Sequence, residues 1–329
     1  MSARAVPAHA VSTQTAGRSY NGGLIKVIAA VTMLIDHTGH VFFPSTITWR
    51  IIGRIAFPLF AFCVAKGFYY SWRKGTVIRY LLHMLIFAAV SQWPFMLMVN
   101  IRWTRPGIHL NIGFTWLFAL MVMYGLALFF RGIYIPGVVG LWAGRRAAWA
   151  SAVDNIAHDV HDAAEPLAQA LQAQALRSQP LHTPHLQGNL RADTVKHPGT
   201  GDSLRRIVSI LAGLALILAP VIALDHVSVD YGMYGIAVAV IFWLAYGASL
   251  RFSRWEGLVW VALVMSFYGL TWAWITWGNM SGTQEWSILA LGALLAYRWD
   301  TAIRVSKWFF YVFYPLHMAL LVALWQLLR

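Results

Sequence analysis

The stretch Thr32–Phe43, TMLIDHTGHVFF, sets an aspartate and two histidines, Asp36, His37 and His40, inside a run otherwise apolar enough for lipid. On a helix, Asp36 and His40 are spaced i, i+4 and His37 and His40 i, i+3, so His40 approaches either partner. A short turn later, WRIIGR places Arg50 and Arg54 one helical turn apart at the same depth. Histidine titrates near neutrality and suits general acid–base work, while a guanidinium holds an anion or a developing oxyanion. A charge within a membrane costs about 2.5 to 3.5 kcal/mol on insertion scales, so such groups turn toward one another or toward a wet cavity. Three readings fit the cluster: salt bridges that fix packing, the proton relay of a transporter, and acid–base catalysis.

Further polar residues fall at matching depth. HLNIGFT contributes His109, Asn111 and Thr115, and VDYGMYG contributes Asp230, Tyr231 and Tyr234. FYVFYPLHMALL carries His317 two residues after Pro315, which removes a backbone hydrogen bond. The depth of His317 suits the bottom of a pocket that opens outward. Lys66 either snorkels to the inner surface or binds a ligand. The single cysteine, Cys63, lies in an apolar segment, so no disulfide forms within the chain and no metal site is expected. No nucleotide-binding loop and no HExxH motif is present, which leaves phosphoryl transfer and metalloprotease chemistry without support.

The elements that position these residues are membrane helices. Of 329 residues, 59% are hydrophobic and 11% charged, against about 25% charged in a soluble domain. The expected fold is all-α, a polytopic transmembrane helical bundle of about nine spans. Windows of about 20 apolar residues fit near Gly23–Phe43, Trp49–Ser71, Val77–Val99, Asn111–Phe130, Ile207–Leu224, Tyr231–Leu250, Trp255–Ile275 and Trp308–Leu328. A ninth, Trp286–Trp299, is short for a crossing. Residues 1–20 read as a disordered cytoplasmic tail, 21–142 as an N-terminal transmembrane half, 143–206 as a cytoplasmic insert and 207–329 as a C-terminal transmembrane half. The insert is rich in Ala, Gln and His, and its pairs His158/His161 and His182/His185 sit in an amphipathic stretch and a linker rather than in a fixed metal site. The net charge of +13 concentrates in segments that are cytoplasmic if the N-terminus is inside, so the positive-inside rule predicts N-in, C-out. That distribution accounts for the charge without nucleic acid; the partner it implies is the lipid bilayer.

The strings IDHTGHVFF, WRIIGRIAFPLFAF, YLLHMLIFAAVSQWPF, LNIGFT, DYGMYG and FYPLHM occur in this order across both hydrophobic halves. Together they resemble the TraX family of membrane pilin acetyltransferases, within the broader transmembrane acyltransferases. The resemblance implies transfer of acetyl from acetyl-CoA, as co-substrate, to the N-terminal amine of a pilin subunit during conjugative pilus biogenesis, at the bacterial inner membrane. It places the family's DHxGH on Asp36, His37 and His40 as catalytic residues. Its WRxxGR falls on Arg50 and Arg54, its NIxFT on Asn111 and Thr115, its DYGxYG on Asp230 and its YPLH on His317; Arg50, Arg54, Asn111, Asp230 and His317 are expected to bind substrate or cofactor. Lys66 stands where many relatives carry an acidic residue, and the insert is longer than the family core, a place for pilus-assembly machinery to dock. Two other functions stay open: O-acylation of an extracytoplasmic glycan, and proton-coupled transport without chemistry. Because CoA is cytoplasmic and the cluster lies outward, the donor must thread its pantetheine arm through the bundle.

Overall fold

A computed structural model describes residues 23–101, 109–133, 200–251, 256–278, 282–296, 305–306 and 308–329. The expected tail and residues 143–199 of the expected insert, with its histidine pairs, lie outside the described residues. The described residues are mainly helical: α1 Gly23–Phe42, α2 Ile47–Gly53, α3 Ala56–Arg73, α4 Val77–Asn100, α5 Ile112–Ile133, α6 Thr200–His226, α7 Gly232–Arg251, α8 Glu256–Thr276, a 3-10 helix Gly282–Leu289, α9 Ala290–Ala296 and α10 Phe309–Leu327. Among the described residues eight candidate spans are long and apolar enough to cross a membrane, with α2 and α3 together forming one of them. α6 begins at Thr200, before the expected span at Ile207, so the end of the expected insert is the first turns of a helix.

Local chemistry explains the breaks. Pro58 has no N–H to give the carbonyl four residues back, that of Arg54, and the helix is interrupted there. Within the new first turn of α3 the missing donor costs nothing. The α3–α4 corner is a Schellman turn: Gly75, at φ 67°, donates to the carbonyl of Trp72, and Thr76 to that of Ser71. Glycine takes that left-handed conformation without strain.

Packing orders the helices around α3, which lies against α1, α5 and α7, while α4 and α10 pack together and α6 lies along α5. One buried cluster joins Ile25 and Ala29 of α1 to α3, α5 and α7; a second joins Met33 and Val41 of α1 to Phe95, Met98 and Val99 of α4 and Met318, Leu321 and Val322 of α10. A two-residue parallel bridge, β1 His109–Leu110 with β2 Ser228–Val229, ties the approach to α5 to the approach to α7.

The expected ninth span, Trp286–Trp299, is not a continuous helix. Its place is taken by the 3-10 helix and the two turns of α9. This short, partly polar stretch, GTQEWSIL followed by ALGALLA, holds its polar side chains inside: Gln284 and Ser287 are buried, as are Ala290 and Leu294. Irregular backbone at membrane depth is stable when protein rather than lipid surrounds it. It does cross the bundle. Tyr234 at the start of α7 meets Trp274 near the end of α8, so α8 ends at the face where α7 begins. α10 runs parallel to α4, with Trp308 beside His83 and Tyr311 and Tyr314 beside Phe87, and α4, which follows α1 and the reversed α3, runs parallel to α1. The chain therefore returns to the face where α1 starts before α10 begins, and α10 ends at the opposite face.

Candidate functional site

Asp36 and His37 lie in the second half of α1, and the α2–α3 break brings both arginines toward them. A glycine at position 53 is what permits the approach, because a Cβ there would overlap the Asp36 side chain. Arg50 Nη1 donates to Asp36 Oδ2 at 3.0 Å, the two side chains being 29% and 16% exposed. Arg54 turns the other way and donates from Nη1 to the Tyr231 hydroxyl at 3.1 Å. Asp36 Oδ1 and Arg54 Nε are buried and make no hydrogen bond. The two arginines thus differ: one neutralises the aspartate and the other holds a tyrosine.

Tyr231 occupies a strained turn. Its φ is 62°, followed by Gly232 at 42°, and a non-glycine residue in that region marks a conformation the surroundings enforce. The enforcing contacts are visible. The Asp230 N–H donates to the Leu110 carbonyl at 3.0 Å, the Thr115 hydroxyl donates to the Asp230 carbonyl, and the Tyr231 ring stacks on Phe57 with centroids 4.0 Å apart.

His37 is paired with His317. Their rings are parallel within 5°, centroids 4.9 Å apart, with Nδ1 of His37 2.7 Å from Nε2 of His317. Nδ1 of His317 lies 2.8 Å from the Phe313 carbonyl, which only accepts, so that nitrogen carries the proton. In a neutral ring Nε2 of His317 then accepts, Nδ1 of His37 donates, and Nε2 of His37 keeps its lone pair. A backbone carbonyl one helical turn away thereby sets the tautomer of the residue expected to act as base.

A cavity of about 620 Å3, within the range that holds a ligand, has Asp36, His37, Asp230 and Tyr231 in its wall at one end. Phe57, Phe60, Tyr80, Phe87, Tyr311 and Tyr314 line its length, and it reaches the α3–α4 turn at Lys74 and Thr76. It therefore runs toward the face where α1 starts. The expected pocket lies toward the Phe42 end of α1; along the 1.5 Å rise of α1 this cavity runs back from His37 toward Lys26.

The expected residues separate by place. Asp36, His37 and Asp230 face the cavity, and Arg50, Arg54 and His317 stand behind them, each touching a wall residue or, for His317, His37 itself. His40 is buried outside the wall. Asn111 is fully buried and its side chain is engaged within the protein: Nδ2 donates to the Ala88 carbonyl and Gln92 Oε1, both at 2.8 Å, and Oδ1 accepts from the Gly113 N–H at 2.7 Å. It fastens the start of α5 to α4. Sequence reasoning gave Tyr231 no role and missed Tyr311 and Tyr314. The signal was there in FYVFYPLH, where Tyr311, Tyr314 and His317 recur at three-residue spacing on one helix face. Among the described residues no group of three or more His, Cys, Asp or Glu side chains is arranged to hold a metal ion.

A family model described as TraX protein matches residues 21–128 and 200–325, which takes in both helical halves. An uncharacterized protein of Rickettsia prowazekii (strain Madrid E) is similar over 46 residues at 46% identity, a stretch that makes up 14% of this chain and 18% of that protein. The chain thus spans less than a fifth of the length of that relative. No solved structure matches.

Proposed function

The chain belongs to the TraX family of conjugation-associated, pilin-related membrane proteins, and on that premise we propose that it is an N-acetyltransferase of the bacterial inner membrane, moving acetyl from acetyl-CoA to the N-terminal amine of a pilin subunit. The observation that supports this reading is the cavity, lined along its length by aromatic side chains and holding His37, Asp36 and Tyr231 in its wall at one end. With the N-terminus cytoplasmic, as the basic residues favour, the cavity opens where acetyl-CoA is found, and a pantetheine arm laid along it brings the thioester to His37.

Each residue then has a task. Nε2 of His37 takes a proton from the acceptor nitrogen as that nitrogen attacks the thioester carbonyl. The N–C bond forms, the carbonyl oxygen gains negative charge, and collapse breaks the C–S bond; the proton held by His37 passes to the departing thiolate. Tyr231 accepts a hydrogen bond from Arg54, so its own O–H is available to donate to the oxyanion, and Arg54 strengthens that donation without touching it. Asp36 is held by Arg50 and has a second oxygen with no hydrogen bond, suited to accept from an N–H of the incoming neutral amine.

Purified protein in lipid nanodiscs, given acetyl-CoA and pilin, is the test. Mass spectrometry is expected to find acetyl on the pilin N-terminal amine with stoichiometric release of free CoA thiol. Acetylation of a glycan but not of pilin would select the O-acyltransferase reading, and no thiol release with any acceptor would leave transport.

A further inference from the structure

The cavity has a second polar end that none of the chemistry above uses. We propose that Lys26, Lys74 and Arg79 form the binding site for the phosphate groups of a nucleotide-bearing thioester donor, fixing its distance from His37. The proposal rests on the acyl-transfer reading and adds the part of the donor that reading leaves unplaced.

Charge divides the cavity. Its acidic wall residues, Asp36 and Asp230, both lie at the His37 end, while Lys26, Lys74 and Arg79 lie at the other, with no carboxylate among the described residues of the wall beside them. Helical geometry links the two ends. Lys26, Met33 and His37 all line the cavity, and at about 100° per residue the seven- and eleven-residue intervals bring all three to within about 20° of one line along α1. Lys26 and His37 are thus about 16 Å apart along one face, a span for an extended arm between an anionic head and a reacting carbonyl. The other two cations flank the α3–α4 Schellman turn. Lys74 closes α3 and Arg79 sits in the first turn of α4, both exposed where the cavity meets the surface. Thr76, the N-cap of α4, also lines the cavity, so the positive end of that helix lies beside the three cations.

The competing explanation is that these cations only anchor the cytoplasmic face, by the positive-inside rule, or hold lipid phosphate. Initial rates separate them. Acetyl-CoA and acetyl-pantetheine, which lacks the phosphates, are compared for the wild type and for Lys26→Gln/Lys74→Gln/Arg79→Gln in phosphatidylcholine nanodiscs, with and without phosphatidylglycerol. The expected result is that the wild type prefers acetyl-CoA, and that the variant loses this preference through a KM raised about tenfold or more. Its KM for acetyl-pantetheine stays within about twofold, which also shows that it is folded. An unchanged KM for acetyl-CoA, or an effect seen only with phosphatidylglycerol present, would overturn the proposal. Calorimetric titration with CoA keeps it separate from the acyl-transfer reading. Cation-dependent CoA binding without turnover supports the site while refuting the reaction; CoA binding indifferent to the three substitutions refutes the site.

Discussion

A histidine acts as a base only while one ring nitrogen keeps its lone pair, and at His37 that condition is held by His317, whose own proton the Phe313 carbonyl fixes. Replacing His37 by alanine is expected to lower kcat by about 10²–10⁴-fold while the protein still inserts. For His317 the test is a pair of variants. His317→Gln can still accept from Nδ1 of His37 and should retain part of the rate, whereas His317→Phe leaves that N–H without its acceptor and should lower kcat about 10²-fold with KM little changed; equal rates in both would reduce His317 to packing. The arginines separate in the same way. Arg50 supplies charge to Asp36, which an ammonium can replace, so Arg50→Lys should stay within a few-fold of wild type. Arg54 must hold Tyr231 from a fixed planar fork, so Arg54→Lys should lose activity at an unchanged melting temperature. Spacing alone makes Asp36, His37 and Arg50 legible, since intramembrane charge needs a partner. It does not reveal that Arg54 belongs to Tyr231, or that the hydrogen bonds of Asn111 are spent on Ala88, Gln92 and Gly113, because those pairings join segments far apart in sequence.

At the scale of elements, the site depends on how closely α2 lies against α1. Gly53 faces the Asp36 side chain and Gly39 faces Trp49, and a Cβ at either position would overlap the opposite residue. Gly53→Ala should therefore cost about 1–3 kcal/mol of stability and lower activity together with it, because the Asp36–Arg50 pair must move. Gly269→Ala in α8, where a Cβ meets nothing within 4 Å, should be neutral or slightly stabilising; thermal unfolding of both variants in detergent is the measurement. The long helices were readable because 18 or more apolar residues admit few other structures. The α2–α3 break was also present in the sequence, as Pro58 four residues after Arg54, yet hydropathy runs straight through it. The short ninth span expected at Trp286–Trp299 is present as a broken segment, and its break is not legible because windowed hydropathy sees composition and not the buried Gln284 and Ser287 that hold it inside the bundle.

For the whole molecule, the parity of crossings decides where the ends lie. The eight long helices among the described residues would alone bring the start of α1 and the end of α10 to one face. The parallel arrangement of α1 and α10 requires another crossing, supplied by the segment between α8 and α10 that holds the 3-10 helix and α9, so the start of α1 and the end of α10 lie on opposite faces. On the proposed N-in orientation, which the distribution of lysine and arginine favours, the start of α1, the α3–α4 turn and the mouth of the cavity are expected to be cytoplasmic. Single cysteines introduced into a Cys63→Ala background test both steps at once. With an impermeant thiol reagent on spheroplasts, Ser228→Cys and Leu328→Cys should label, and Arg73→Cys should label only after permeabilisation. Labelling of Arg73→Cys before permeabilisation would invert the orientation and turn the cavity away from cytoplasmic CoA. A protected Leu328→Cys beside a labelled Ser228→Cys would mean that the broken segment does not cross, and the parallel arrangement of α1 and α10 would go with it.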